Sequence, residues 1–438
     1  MAKNSITDYS GTSSNNSDVQ SVDISEGCSP SGINNAIREV MADLADVNDG
    51  TVALTSPSAV TLSTDTISEK TSGSGVTIDS VLLKDGALGS IASAVAAHLT
   101  SINGGQIGGN RNLIINGAMQ VSQRGDSTGV TSSKYAANDR FRFTIGNAGT
   151  WDISQSTTAP TGFSSSYKVD CTTADASLAS SDFLFLEQRI EAQNLQHLSY
   201  GTSDAKKITL SFYVRSNKTG TYAIEFQHGD AGTNYWNNNT YTISAADTWE
   251  QKTITISGQT ATAINNDTGI GLYVRWWLVS GTQYSSGTVT NDTWHQTDAN
   301  RAAGQVNLAD STSNEFYLTG VQLEVGDTAT EFEHRSYADE LHRCRRFYQK
   351  ITGTSYYGGF HAYTGSTSIY VQLIPAMRAA PTVTNYNVRN GSTGATASNQ
   401  AANYGAIDGF NAPIDGSGGS DTHFSHINQA TLEASAEL

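Results

Sequence analysis

The side chains best suited to grip a ligand in this sequence are aromatic. All six tryptophans fall between Trp151 and Trp294, and an indole face can cover the apolar side of a sugar ring while its N–H reaches a hydroxyl. Trp236 in "NYWNNNTY" and Trp294 in "NDTWHQ" lie in runs that read as loops, so they are the first candidates for such a platform. Trp276 and Trp277 are adjacent in an apolar run and must point to opposite faces of a strand. Trp276, like Trp249, is expected in a core. Trp277, with Tyr273 and Arg275 close by on its own strand, is a further ligand candidate on an outer or intersubunit surface, while structural packing is the favoured account for Trp236, Trp277 and Trp294 alike.

The segment "DTHFSH" sets His423 and His426 three apart beside Asp421. Imidazole and carboxylate are ligands for divalent metals, and three copies around an axis would multiply them. A solvated loop accounts for the same residues, so Asp421, His423 and His426 stand as ligand-contact candidates, and no metal or cofactor is assigned. "HRCRR" at 342–346 reads as a helix face paired with acids, and Asp46, Asn48 and Asp49 lack calcium-loop spacing. There is no G-x-S-x-G and no Cys/His context that would activate a nucleophile. Glycoside hydrolysis needs two carboxyl groups brought together in space. Glu187, Glu191, Asp230 and Asp310 are available for it, but no spacing selects a pair and no catalytic residue is assigned. Arg111, Asn112, Asn116, Asp139 and Arg140 form a polar set whose plain role is turn formation and salt bridging.

The elements that must position these residues are mainly β. Only 15% of the 438 residues are charged, 37% are hydrophobic and 41 are glycine, a profile of turn-rich strands long enough for two or three domains. The formal charge of −16 excludes a general affinity for nucleic-acid phosphates, which requires clustered cations, and resists membrane surfaces. Cys28, Cys171 and Cys344 are odd in number and scattered, so no disulfide framework is readable. The first residues carry no apolar signal core and no run approaches a membrane span, so maturation in a cytoplasm without membrane insertion is expected.

Aromatic content divides the chain: after Tyr9 no Phe, Tyr or Trp occurs until Tyr135. Residues 1–105 are therefore not expected to form a compact globule of their own. A helix is expected from Ser29-Pro30 to Asp49-Gly50, with Ile33, Ile37, Val40, Met41, Leu44 and Val47 on one face that must pack outside the lone helix, against other copies or a docking partner. A short strand at 76–83, a heptad-like run of Leu88, Ile91, Val95 and Leu99, and a glycine-rich hinge at 102–110 suit a thin three-chain stalk. From 111 the density rises. "NLIINGAMQV" reads as two short strands about an Asn-Gly turn. Ile208, Leu210, Phe212, Val214 and then Ile270, Leu272, Val274, Trp276, Leu278 alternate as one-faced strands. Phe316, Leu318, then Val321, Leu323, Val325 change phase at Gly320, which places a bulge there. "YADELHRCRRFYQKI" reads as a helix with Leu341, Cys344, Phe347, Tyr348 and Ile351 on one face, followed by β-like segments to the end.

The stretches "NLIINGAMQVSQRG", "DRFRF", "ITLSFYVRS", "FYLTGVQLEVGDTATEFEHR" and "ELHRCRRFYQK", in that order, resemble a recurring bacteriophage tail module, and "MRAAPTVT" resembles the start of the β domain that often follows it. The leader "NSITDYS", "ISEGCSPSGINNAIREVMADL" and "ISEKTSGSGVTIDSVLLKDG" is similar to N-terminal segments of fibres from phages of marine bacteria. The chain thus resembles phage tail-fibre or receptor-binding proteins over most of its length. The resemblance implies an elongated homotrimer in the virion tail, made in the host cytoplasm. It implies attachment to phage tail proteins through the N-terminus and display of a carbohydrate-binding-like jelly-roll and a tip that meet a bacterial surface glycan or outer-membrane protein. The expected organisation is an attachment segment with its helix at 1–50, stalk and hinge at 51–110, jelly-roll at 111–336, linking helix at 337–350, and a small β tip at 351–438. Two rivals stay open: a structural fibre or tail connector without receptor binding, and a tailspike glycosidase.

Overall fold

A computed structural model describes residues 8–48, 76–78, 81–84, 87–88, 110–232, 234–353, 367–384, 388–389, 396–397, 403–407, 409–414 and 430–438. The chain divides into two compact units, 1–97 and 98–438.

In the first unit a two-residue hairpin, β1 (Asp18–Val19) and β2 (Val22–Asp23), precedes helix α1 (Pro30–Asn48). Proline opens the helix because its missing N–H is not needed there. The helix leans on the preceding segment through buried Ala36 and Asp43; the Asp43 carboxylate accepts from the Tyr9 hydroxyl and from Gln20 Nε2 at 2.9 Å. Its apolar stripe is only partly covered by that segment: Ile33, Ile37, Met41 and Leu44 are about half exposed, and Val40 and Val47 partly so. Further on, β3 (Val76–Ile78), β4 (Val81–Lys84) and β5 (Ala87–Leu88) make a three-stranded antiparallel sheet, where a single strand is expected from the sequence. Ile91, Val95 and Leu99 and the hinge up to 109 lie outside the described residues.

The second unit is a β-sandwich of two antiparallel sheets. Its strands are β6 (Ser127–Val130), β7 (Lys134–Tyr135), β8 (Arg142–Gly146), β9 (Thr150–Ser156), β10 (Ser166–Thr173), β11 (Phe183–Glu191), β12 (Ile208–Ser216), β13 (Gly220–His228), β14 (Tyr235–Ile243), β15 (Glu250–Ile256), β16 (Ile270–Ser280), β17 (Trp294–His295) and β18 (Glu315–Val325). One sheet runs β15-β12-β18-β10-β9-β6 and the other β17-β14-β13-β16-β11-β8-β7. Between them lies one apolar core in which Ile208, Leu210, Phe212, Val214, Leu272, Val274, Trp276, Leu278, Phe316, Leu318, Val321 and Leu323 are fully buried, as the alternation in the sequence requires. The phase change is a bulge: Ser211 pairs with Gln322 and Tyr213 with Thr319, with Gly320 at φ +60.

The hairpin expected at 111–121 does not form. Asparagine side chains take the places that a strand partner would fill. Asn112 Oδ1 accepts from the N–H groups of Ile114 (2.9 Å) and Leu323 (3.0 Å), and its Nδ2 donates to Val321 O at 3.0 Å. Asn116 likewise bonds both backbone groups of Val121 at 2.9 Å and Asp139 O at 3.0 Å. A Cβ on Gly117 would sit 2.1 Å from Val321 O, so the close approach requires glycine. This amide-bonded segment packs beside the bulge of β18.

Helix α2 (Thr282–Ser285) is a single turn, and α3 (Tyr337–Arg345) is shorter than the sequence suggests. Ser336 caps α3 on Asp339 N at 3.1 Å, and after a turn at Phe347 the chain becomes strand β19 (Tyr348–Gly353). The remaining strands are β20 (Thr367–Gln372), β21 (Thr382–Thr384), β22 (Val388–Arg389), β23 (Thr396–Ala397), β24 (Asn403–Ala406), β25 (Gly409–Ile414) and β26 (Ala430–Ser435). They form small antiparallel sheets β19-β26-β21, β20-β25-β24 and β22-β23. Residues after β26 clasp the sandwich: Glu437 lies between Arg124 (3.1 Å) and the buried Arg140, whose guanidinium stacks 3.5 Å from the Phe347 ring.

Candidate functional site

The strand pairing assembles a row of charges across the outer face of the seven-stranded sheet. Arg142 on β8 pairs with Glu187 on β11, Glu187 with Arg275 on β16, Arg275 with Glu225 on β13, and Glu225 with Asn238 on β14. Opposite charges therefore alternate along four neighbouring strands, where cross-strand partners on one face stand close enough to bond. Arg275 Nε donates to Glu187 at 2.8 Å and its Nη1 to Glu225 at 2.7 Å. Arg142 Nη1 reaches Glu187 at 3.0 Å. Arg189, two residues along β11, donates to the same oxygen at 2.9 and 2.6 Å, and Arg301 embraces Glu225 at 2.7 and 2.9 Å.

Electrostatics in this row is decided by pairing. Burial pushes the Glu187 carboxyl up, yet Arg275 and Arg189 together outweigh it and hold the group below the ordinary range. For Glu225 the same contest, burial against Arg301 and Arg275, ends at about 2. Burial lowers the Arg275 guanidinium, and Glu225 and Glu187 more than reverse it. All are charged at neutral pH, and each charge has a partner.

The rows on either side differ. One, made of Thr144, Phe185, Trp277 and Ala223, is roofed by Tyr284 and Ala302 into a second small apolar cluster. The other, Arg189, Tyr273, Gln227 and Trp236, is half open at its first three members. Tyr273 has the Arg275 guanidinium 4.4 Å and that of Arg189 5.5 Å from its ring centre. Farther along β11, Glu191 meets Arg346 at 3.0 Å and Arg378 at 3.6 Å. The result is a floor of fixed, planar hydrogen-bonding groups between an aromatic roof and the C-terminal strands.

The candidate tryptophans are mostly taken up in packing. Trp236 is in strand β14 rather than a loop, 4% exposed, with Arg301 stacked 4.5 Å from its ring. Trp277 is fully buried beneath Tyr284 and against Phe185, not on an open surface. Trp294, in the short strand β17, is half buried; its N–H donates to Ser257 O at 2.9 Å and its ring meets Tyr200 edge-on. Trp276 is in the core, but Trp249 is only half buried, edge-on to Tyr317 outside the six-stranded sheet. Asp421, His423 and His426 lie outside the described residues. Among the described residues no cluster of three His, Cys, Asp or Glu groups could hold a metal.

The carboxylates available for hydrolysis are each engaged by neighbouring donors. Glu187 is ionised. Glu191 is paired with arginines, and Asp230 accepts from Asn265 at 3.0 and 3.1 Å. Burial raises Asp310, but Lys218 and Asn314 bring it below its ordinary range. Of the charged row, the sequence points to Glu187 as a spare carboxylate and to Arg275 as a neighbour of Trp277. Arg142 and Glu225 are single charges on largely apolar strands, Arg189 shares β11 with Glu187 and Glu191, and Arg301 follows a short turn at 298–300, so no local pattern joins them.

No protein-family model matches the chain, and no curated protein matches it. Solved structures that are similar include a putative sugar binding protein from Bacteroides thetaiotaomicron, with 14% identity over 49% of this chain and 99% of that one at a TM-score of 0.27. The enzymatically active domain of tailspike protein 4 of bacteriophage CBA120 has 11% identity over 49% of this chain and 21% of that one, at 0.25. The module TmCBM61, solved with β-1,4-galactotriose, has 10% identity over 49% of this chain and 99% of that one, at 0.25. At these values the similarities transfer no residue role and no activity.

Proposed function

We propose that this chain is a non-catalytic phage tail-fibre protein that binds a bacterial surface glycan on the outer face of its seven-stranded sheet. The observation that carries the reading is the charge row from Arg142 to Glu225 with half-open Tyr273 and Gln227 beside it. Sugars present hydroxyls at fixed angles on a ring, and rigid guanidinium, carboxylate and amide groups already locked to one another meet them at little cost in ordering. The half-exposed stripe of α1, with Val19, Ile24 and Cys28 lining a groove of about 610 Å³ beside it, supports attachment or self-association through the first unit. The virion role and the homotrimer rest on the order of the motifs in the sequence.

A glycosidase is disfavoured on physical grounds. Its general acid must hold a proton near neutrality, and Glu187 and Glu225 are both held ionised. The test is to incubate the full chain with envelope polysaccharide from a host of the phage, measuring retention and polymer size together. Retention without shortening is the expected result. Shortened chains would replace the adhesin by an enzyme, and no retention by folded protein would leave a structural fibre or connector.

A further inference from the structure

We infer that the glycan taken by this face is an acidic one, carrying sugar carboxylates that dock on surplus guanidinium groups; this rests on the glycan-binding reading above. Six arginines, Arg142, Arg189, Arg275, Arg301, Arg346 and Arg378, bond to only three glutamates, Glu187, Glu191 and Glu225. Beyond these, half-exposed Asp298 lies 3.4 Å from Arg301, and Arg189 Nη1 also donates to Leu438 O. The surplus runs against the background of the chain, in which Asp and Glu outnumber Lys and Arg by 41 to 25.

The excess is concentrated where the face is open. Glu187 Oε1 alone accepts from Arg142 Nη1, from Arg189 Nε and Nη2, and from Thr144 Oγ1 at 3.2 Å, while its Oε2 takes Arg275. A carboxylate offers about four lone-pair sites, so this one is oversubscribed. Arg142 and Arg346 keep 24% and 35% of their side chains exposed, the largest fractions in the set. A guanidinium fork matches a carboxylate edge-on and binds it about twice as strongly as a neutral partner. The chain's net negative charge acts over distance and is screened within about 8 Å at physiological salt; at contact the local surplus prevails.

The test uses host envelope polysaccharide, native and after chemical reduction of its carboxyl groups to alcohols, with the full chain. The native polymer is expected to bind about tenfold more tightly than the reduced one, with the gap narrowing as salt rises. Arg142→Gln should close most of the gap without changing the melting temperature, because Arg189 and Arg275 still hold Glu187. Arg346→Gln should also close it but lower the melting temperature, since it strips buried Glu191 of its hydrogen-bonding arginine. Arg142→Lys restores part of the gap, and Lys168→Gln, on the opposite sheet, leaves it alone. Equal binding of both polymers overturns the acidic preference and leaves the glycan reading intact. A preference that survives in the Arg142→Gln, Arg346→Gln double variant overturns the assignment to this face. Binding of neither polymer by folded protein overturns the glycan reading itself.

Discussion

The two outer faces of the sandwich use one device with opposite outcomes. On the seven-stranded side Tyr273 stands between Arg189 and Arg275; on the six-stranded side Tyr317 stands between Lys168 and Arg215, whose charges lie 5.6 and 4.9 Å from its ring. Arg275 belongs to a row whose acids are shut off from water, with Glu187 and Glu225 about 1% exposed or less, and Arg189 reaches into it from the half-open row beside it. The second pair answers to Glu315, Asp170 and Asp247, which remain 23–54% exposed. In the first set cations exceed acids, and in the second acids exceed cations. A buried row is committed to one geometry, because each charge depends on its neighbour; an exposed set can exchange partners with water at small loss.

That contrast can be broken most directly at Arg275. Arg275→Ala leaves two buried carboxylates short of a partner and is expected to cost about 3–5 kcal/mol in urea unfolding; a loss below about 1 kcal/mol would mean the row is not buried in solution. Acid sharpens the same point. The folded pKa of Glu225, about 2, lies below its unfolded value of 4.5, so its stabilisation is present above pH 4.5 and disappears as pH falls towards 2. At 1.4 kcal/mol per pKa unit this amounts to roughly 3 kcal/mol, and the deficit of Arg275→Ala should shrink over that window. Next in size, Arg142→Gln should lower affinity for carboxylated polymer about tenfold with stability nearly unchanged, read by titration calorimetry. Smallest, Arg215→Ala on the exposed face should cost no more than about 1 kcal/mol and respond to salt.

Strands whose apolar phase is unbroken were readable in advance, because a two-residue period leaves few alternatives: β12, β16 and the two halves of β18 follow it, and the glycine bulge between those halves announced itself as a phase slip. What failed was local chemistry that imitates a strand. Asn112 and Asn116 supply amide bonds that a ladder would otherwise supply, so "NLIINGAMQV" looks extended and is not. In the other direction, "NYWNNNTY" carries residues poor in strand preference but is held in register between β13 and β17. The charged row was hidden for a different reason. Glu187, Arg275 and Glu225 are neighbours only after three strands have paired, so no window of sequence contains the site.

The clasp at Glu437 also sets an order of events during synthesis. Arg140 precedes its partner by 297 residues, which at bacterial elongation rates of about 5–20 residues per second corresponds to roughly 15–60 s on the ribosome. Throughout that interval the guanidinium that ends 1% exposed has its acid still untranslated. The base of the sandwich can therefore close only after Glu437 has been made, and a chain cut short before that residue lacks the closure.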